Sequence, residues 1–116
     1  MRHAMQIYKI LRAAEWSTLQ EAGETLGAPI DLADGYVHFS TAAQARETAA
    51  KHFKDEQDLV LLALEAEALG EALKWEVSRA DALFPHLYAP LRLADVIWYK
   101  PLPLVDGRHV FPKEML

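Results

Sequence analysis

Cysteine is absent from the 116 residues. That excludes thiolate metal sites, thiol nucleophiles and the disulfide framework of a small secreted domain. Long apolar runs are missing too. The longest, Leu59 to Leu64, has only the length of a strand, so no bilayer-spanning segment is expected. From Met1 to Trp16 every short apolar stretch is broken by Arg, Gln, Lys or Glu. No signal-peptide core can be drawn there, and the cytoplasm is the expected compartment. Basic clustering is also lacking: 12 cationic residues are scattered singly among 17 acidic ones, for a net charge of -5. Neutralised phosphates supply most of the affinity for nucleic acid, so that class of partner is disfavoured, though a small local pocket of Lys9 and Arg residues could hold an anion. The five glycines form no Gly-x-Gly-x-x-Gly, no Walker loop and no Gly-x-Ser-x-Gly elbow. No repeat, low-complexity tract or flexible linker divides the chain, so residues 1–116 read as a single domain.

What is present is an ordinary globular composition, 52% apolar and 25% charged, sufficient for a core without staples. Gln6 to Ile10 reads as a first strand. Arg12 to Ala22 reads as a helix carrying Ala13, Trp16, Leu19 and Gln20 on one stripe and stopped by Gly23. Gly23 to Ala33, with Gly27 and Pro29, reads as a surface loop. Gly35 to Phe39 is a short β-branched and aromatic run, the second strand. Thr41-Ala42-Ala43-Gln44 fits a capping box that opens a helix reaching about Phe53, with Glu47 and Lys51 paired at i,i+4. Leu59 to Leu64 is apolar on both faces and predicts a central, doubly covered strand. One or two helical turns over Ala66 to Leu73 lead to a strand over Lys74 to Val77. Pro85 to Leu91 and Val96 to Lys100 are read as further strands. Asp106-Gly107 suggests a turn, with His109 to Pro112 as a docked extended end. Helices fall early, strands late and connections are short. The pattern favours an α+β fold with a small mixed or antiparallel split sheet and two main helices.

The chemistry-bearing residues gather in two segments. On an alternating strand His38 and Ser40 share one face, immediately before a helix N-terminus whose free N–H groups add to the Ser40 and Thr41 hydroxyls. That is the makings of an anion or ligand site. It is equally the makings of a plain helix cap beside a half-buried strand histidine. In the second segment Phe84, Leu87 and Tyr88 surround His86 with apolar bulk, so its imidazole requires a partner. Glu76 stands where a solvated Lys or Thr is the ordinary filler; a carboxylate orienting a histidine serves acid–base sites and structural hydrogen bonds alike. Two histidines and a glutamate suit zinc or iron in kind, but no His-x-His or His-x-x-x-His spacing supports it, and no metal is assigned. Ser40 with His86 and an acid makes a hydrolase triad only by geometry, with nothing specific in the sequence. Trp16, Trp75, Trp98 and the tyrosines are read as core packing. His3, His52 and His109 are read as surface residues without supporting context.

The ordered set Ile7-Tyr8-Lys9-Ile10, Trp16, Asp34-Gly35-Tyr36-Val37-His38-Phe39-Ser40-Thr41-Ala42-Ala43-Gln44, Phe53, Asp58-Leu59-Val60-Leu61-Leu62, Lys74-Trp75-Glu76 and Phe84-Pro85-His86-Leu87-Tyr88 resembles the bacterial domain of unknown function 952 family over nearly the whole chain. Ala89 stands where that family usually has Gly, and Lys9 where many members carry His. The resemblance implies a fold similar to the ADP-ribosyltransferases, in which two small sheets form a cleft for NAD. By it, Lys9 stands where such enzymes place a His or Arg, Phe39-Ser40-Thr41 resembles the segment supporting the nicotinamide, and Glu76 or His86 approaches the third catalytic position. The family has no established activity, and a fold does not fix one. The leading expectation is a small-molecule pocket for NAD or an ADP-ribose-like ligand, with His38, Glu76 and His86 catalytic and Lys9, Ser40 and Thr41 holding the ligand. A non-catalytic small-ligand or protein-interaction module is the alternative. The oligomeric state is open.

Overall fold

The computed structural model describes residues 5–78 and 81–115. Strand β1 (Gln6–Arg12) runs directly into helix α1 (Ala13–Ala22), which ends at Gly23 as expected. Strand β4 (Leu59–Glu65) pairs antiparallel with β1 on one side and with β8 (Val96–Leu102) on the other. Alternation then decides what each residue touches. Ile7 and Leu11 of β1, with Leu62 and Leu64 of β4, pack with Trp16 and Leu19 of α1. Tyr8 and Ile10, with Leu61 and Ala63, pack against Ala45 and Ala49 of helix α3 (Ala42–His52). β4 is therefore covered on both faces, as its unbroken apolar run predicted.

The same alternation puts Lys9 on the face of Ile7 and Leu11, pointing a cation into the core side of the sheet. A second three-stranded antiparallel sheet orders β3 (Val37–His38), β6 (Leu83–Leu87) and β5 (Leu73–Val77). The two sheets meet where Tyr8 and Ser40 exchange backbone hydrogen bonds of 2.8 and 2.9 Å. Short pairs, β2 (Glu24–Thr25) with β7 (Leu91–Arg92) and β9 (Leu104–Val105) with β10 (Arg108–His109), complete an α+β fold whose paired strands are all antiparallel. Among the described residues no helix is long and apolar enough to cross a membrane.

Several expectations need correction. Gly23 to Ala33 is not a bare loop: it contains β2 and a third helix, α2 (Pro29–Asp34). Proline at the first helical position lacks only an N–H that would have no partner there, so it starts the helix rather than preventing one. Strand two is cut to Val37–His38, because the chain leaves β6 to bridge β1 at Ser40. Pro85 to Leu91 is not one strand. β6 begins at Leu83, and a turn separates it from β7. β8 continues through Pro101, whose missing N–H is tolerated because β8 lies at the edge of its sheet. On α1, Trp16 and Leu19 are buried but Ala13 and Gln20 are exposed. Trp98 is half-buried and Trp75 is exposed on β5, so core packing holds for Trp16 and fails for Trp75.

The capping box is present: Thr41 Oγ accepts from Gln44 N at 3.2 Å, and Gln44 Oε1 accepts from Thr41 N at 3.0 Å. The Glu47–Lys51 pair closes at 3.1 Å. Replacing Thr41 with Ala is expected to lower stability by about 1 kcal/mol, read from the urea midpoint. An unchanged midpoint would show that the cap contributes nothing.

Candidate functional site

A cleft of about 730 Å³ lies beside α3, lined in part by Lys9, Asp34, Tyr36, His38, Ser40 and His86. Its chemistry starts from one carboxylate. Asp31 is 1% exposed. Its Oδ2 accepts from Lys9 Nζ at 2.8 Å and from Ala28 N at 2.8 Å, while Oδ1 accepts from His38 N at 3.0 Å. Oδ1 also lies 2.5 Å from His38 Nδ1. A buried ion persists only when its lone pairs are filled in this way. Burial alone would raise the Asp31 carboxyl, but the hydrogen bonds from His38 and the charge of Lys9 outweigh it and hold the group at about 2. Burial pulls the Lys9 ammonium below its usual range, and Asp31 partly restores it.

Gly27 belongs to this arrangement. A Cβ there would stand 2.1 Å from Asp31 Oδ2 and 2.7 Å from Asp31 Cβ, at a φ of +102°. Only glycine leaves room for the carboxylate. Gly35 then reverses the chain after α2 at a φ of 85°, which folds His38 back over the helix it has just left.

His38 is thus held from both sides. Asp31 faces Nδ1, and Asp34 Oδ2, one helical turn on, lies 2.9 Å from Nε2. Each ring nitrogen faces a carboxylate oxygen, towards which it can act only as a donor. His86 sits opposite, at the register partner of His38 on β6, and is 2% exposed. Its Nδ1 is 2.8 Å from Glu76 Oε1, which also accepts from Tyr88 OH at 2.8 Å. Hydrogen bonds from His86 and Tyr88 lower the Glu76 carboxyl, and the bond to Glu76 pushes the Tyr88 phenol up to about 12. An ionised Glu76 can only accept, so His86 Nδ1 donates to it, and in a neutral ring the lone pair falls on Nε2. Among the described residues no group bonds that Nε2.

Tyr36 packs against both histidines. Its ring stacks on His86 with centroids 4.2 Å apart and tilts against His38 at 4.6 Å and Tyr88 at 5.1 Å. The imidazole centroids are 5.3 Å apart. Partial burial and the charges of Asp34, Glu76 and Asp31 raise its phenol above the ordinary value.

Lys9, His38, Ser40 and His86 therefore border one cleft, and Glu76 reaches it through His86. Two roles change. Lys9 is neutralised by Asp31 and is not an open anion contact. Thr41 does not line the cleft, because its hydroxyl caps α3. Ser40 is buried, with Oγ 3.2 Å from Thr48 Oγ1. His52 lines the cleft despite its exposure, His109 Nε2 donates to Glu56 O at 2.8 Å, and His3 lies outside the described residues. Asp31, Asp34, Tyr36 and Tyr88 were not assigned from the sequence. Two signals could have found three of them: an acid at the third position of a proline-led helix with a second acid three residues on, and Tyr36 at i,i−2 to His38. Among the described residues no cluster of three or more His, Asp or Glu is arranged to hold a metal ion.

A family profile described as "Protein of unknown function (DUF952)" matches residues 10–99. The chain belongs to that family. Within the DUF952 span fall Asp31, Asp34, Tyr36, His38, Glu76 and His86; Lys9 lies one residue before it. The crystal structure of protein CC0527 from Caulobacter crescentus is 52% identical, with 90% of this chain and 93% of that chain covered and a TM-score of 0.87. Its solution NMR structure is 51% identical, with 90% of each chain covered and a TM-score of 0.81. No curated protein matches.

Asp31 ionises at about 2 in the folded chain against an ordinary 3.8. The unfolded chain therefore takes up this proton first, and the contribution of Asp31 to stability is complete above about pH 5 and lost as pH falls towards 2. The shift corresponds to about 2 kcal/mol. Urea unfolding at pH 6 and pH 2.5 should show this loss in the native chain and lack that share of it in Asp31→Asn. Equal acid sensitivity of the two would reject the assignment. Asp31→Ala, which leaves Lys9 buried and unpaired, is expected to cost about 3–5 kcal/mol.

Proposed function

We propose that the cleft binds a nucleotide-type ligand, NAD or ADP-ribose, and that the chain is an ADP-ribosyl-transferring or NAD-cleaving enzyme. The observation that carries this reading is the contrast between the two histidines. His86 is buried on the cleft wall, oriented through Nδ1 by Glu76 and unbonded at Nε2. His38 is locked between two carboxylates. Groups of one type placed in opposed electrostatic settings are how a site divides acid and base roles. A cleft of this volume suits a ligand of nucleotide size, and Tyr36 supplies an aromatic edge beside the reacting groups. The motif resemblance to the ADP-ribosyltransferases points the same way as an analogy of fold.

In this mechanism the bond between the ribose anomeric carbon and the nicotinamide nitrogen breaks, and its electron pair leaves with neutral nicotinamide. Positive charge then develops on the ribose ring, and the carboxylates of Asp34 and Glu76 stabilise it electrostatically. His86 Nε2 takes the proton of the incoming water or hydroxyl as its oxygen bonds to the anomeric carbon. His38, engaged by Asp31 and Asp34 at its two nitrogens, holds the Asp34 carboxylate beside the ribose, and Ser40 borders the cleft below it. Phosphate contact passes from Lys9 to Arg12. Both side chains border the cleft, but the Arg12–Glu56 pair is partly exposed, and such pairs are inexpensive to open.

Isothermal titration with NAD and with ADP-ribose, together with chromatographic detection of released nicotinamide, tests the reading. Saturable binding and turnover are expected, with His86→Gln losing on the order of 10²–10⁴ in rate while binding persists. Absence of heat at millimolar ligand would reject the site. Binding without turnover would leave the non-catalytic module.

A further inference from the structure

A second hollow, of about 560 Å³, lies on the other side of α3, between that helix and the β9–β10 hairpin. Its walls include Arg46, Lys54, Arg108, His109 and Phe111, and no carboxylate lines it among the described residues. In a chain of net charge -5 this grouping runs against the average. The sequence scatters these cations across more than sixty positions, and only the docking of the hairpin on α3 assembles them.

The cations are also unspent. Among the described residues Lys54 and Arg108 take part in no ion pair, whereas Arg12, Lys51 and Lys100 each face a glutamate. Arg46 donates Nη1 to Ala42 O at 3.3 Å, and its guanidinium carbon lies 5.2 Å from the Phe111 ring centroid. Stacking fixes the plane of that fork and leaves its other N–H groups available. The opposite wall is held equally firmly. His109 is anchored on Glu56 O, Val110 N donates to Pro103 O at 2.8 Å, and Met115 is buried beyond Phe111. Three cations line this hollow and no carboxylate does among the described residues, so an anion of charge near -2 meets favourable charge there.

We infer that this hollow is a binding site for a phosphate group, held by Arg46, Lys54 and Arg108. Forked guanidinium donors from two directions and one ammonium match the several oxygens of a phosphate better than the two of a carboxylate. The site shares no lining residue with the His38–His86 cleft, so it stands or falls apart from the NAD reading.

Amide-resolved NMR titration of the full chain with inorganic phosphate, and separately with ADP, is the test, with sodium chloride at equal ionic strength as control. Phosphate should shift the Gly107, Arg108 and His109 amides saturably, and chloride should not. The double variant Lys54→Gln with Arg108→Gln removes two exposed, unpaired cations and should fold normally. It should weaken binding about tenfold or more, and Arg108→Lys should restore part of the loss. Tighter binding of ADP than of phosphate assigns the group to a nucleotide; equal binding assigns it to phosphate alone. The inference is overturned if chloride reproduces the shifts, if the double variant binds undiminished, or if phosphate moves only residues of the His38–His86 cleft.

Discussion

A carboxylate taken out of water must be repaid by groups that stay where they are, and the site of this protein is organised around one such carboxylate. Asp31 collects a lysine from the first strand, a backbone N–H from the start of its own helix, and the backbone and ring of a histidine from the next strand. Three segments of the chain are thereby fixed relative to one another at this point. The stability of the cleft and the orientation of His38 are the same set of bonds. Gly27 shows how tightly they are drawn, because one added carbon would occupy the carboxylate's place.

The two imidazoles differ because of what surrounds them. His38 faces acid on both nitrogens and is immobilised between a buried and an exposed carboxylate. His86 faces acid on one nitrogen only, with its ring on the wall of the cleft. Cross-strand register brings them opposite each other, and the Tyr36 ring packs against both. A pairing shift of one residue between β3 and β6 would send one histidine to the far face of the sheet.

Much of the frame was readable along the chain. Unbroken apolarity over Leu59 to Leu64 gave a central strand because a strand buried on both faces has no reason to alternate. The Thr41–Gln44 pair gave a helix start because it satisfies two backbone donors locally. Both depend on neighbours in sequence. The errors share a different cause. The segment 23–33 was taken for a loop because its proline and glycines resemble breakers, when the proline opens a helix and Gly27 makes space for a side chain four residues away. Lys9 and Thr41, each polar beside a strand end, also have partners of their own within the fold, Asp31 and Gln44. Neither the buried acid that consumes Lys9 nor the cap that consumes Thr41 can be weighed against a ligand until positions are known.

The sequence by itself determined an antiparallel-leaning α+β domain, the two segments that hold the histidines, and the family to which the chain belongs. Those follow from period, capping and motif, which are properties of adjacent residues. The tertiary structure alone decided that His86 keeps a free nitrogen while His38 keeps none, that Asp31 is the acid on which the cleft rests, and that scattered cations meet beside α3. Each is a matter of distance between residues remote in sequence, and electrostatic and hydrogen-bond energies depend on that distance and on exclusion of water, which no pattern along the chain encodes.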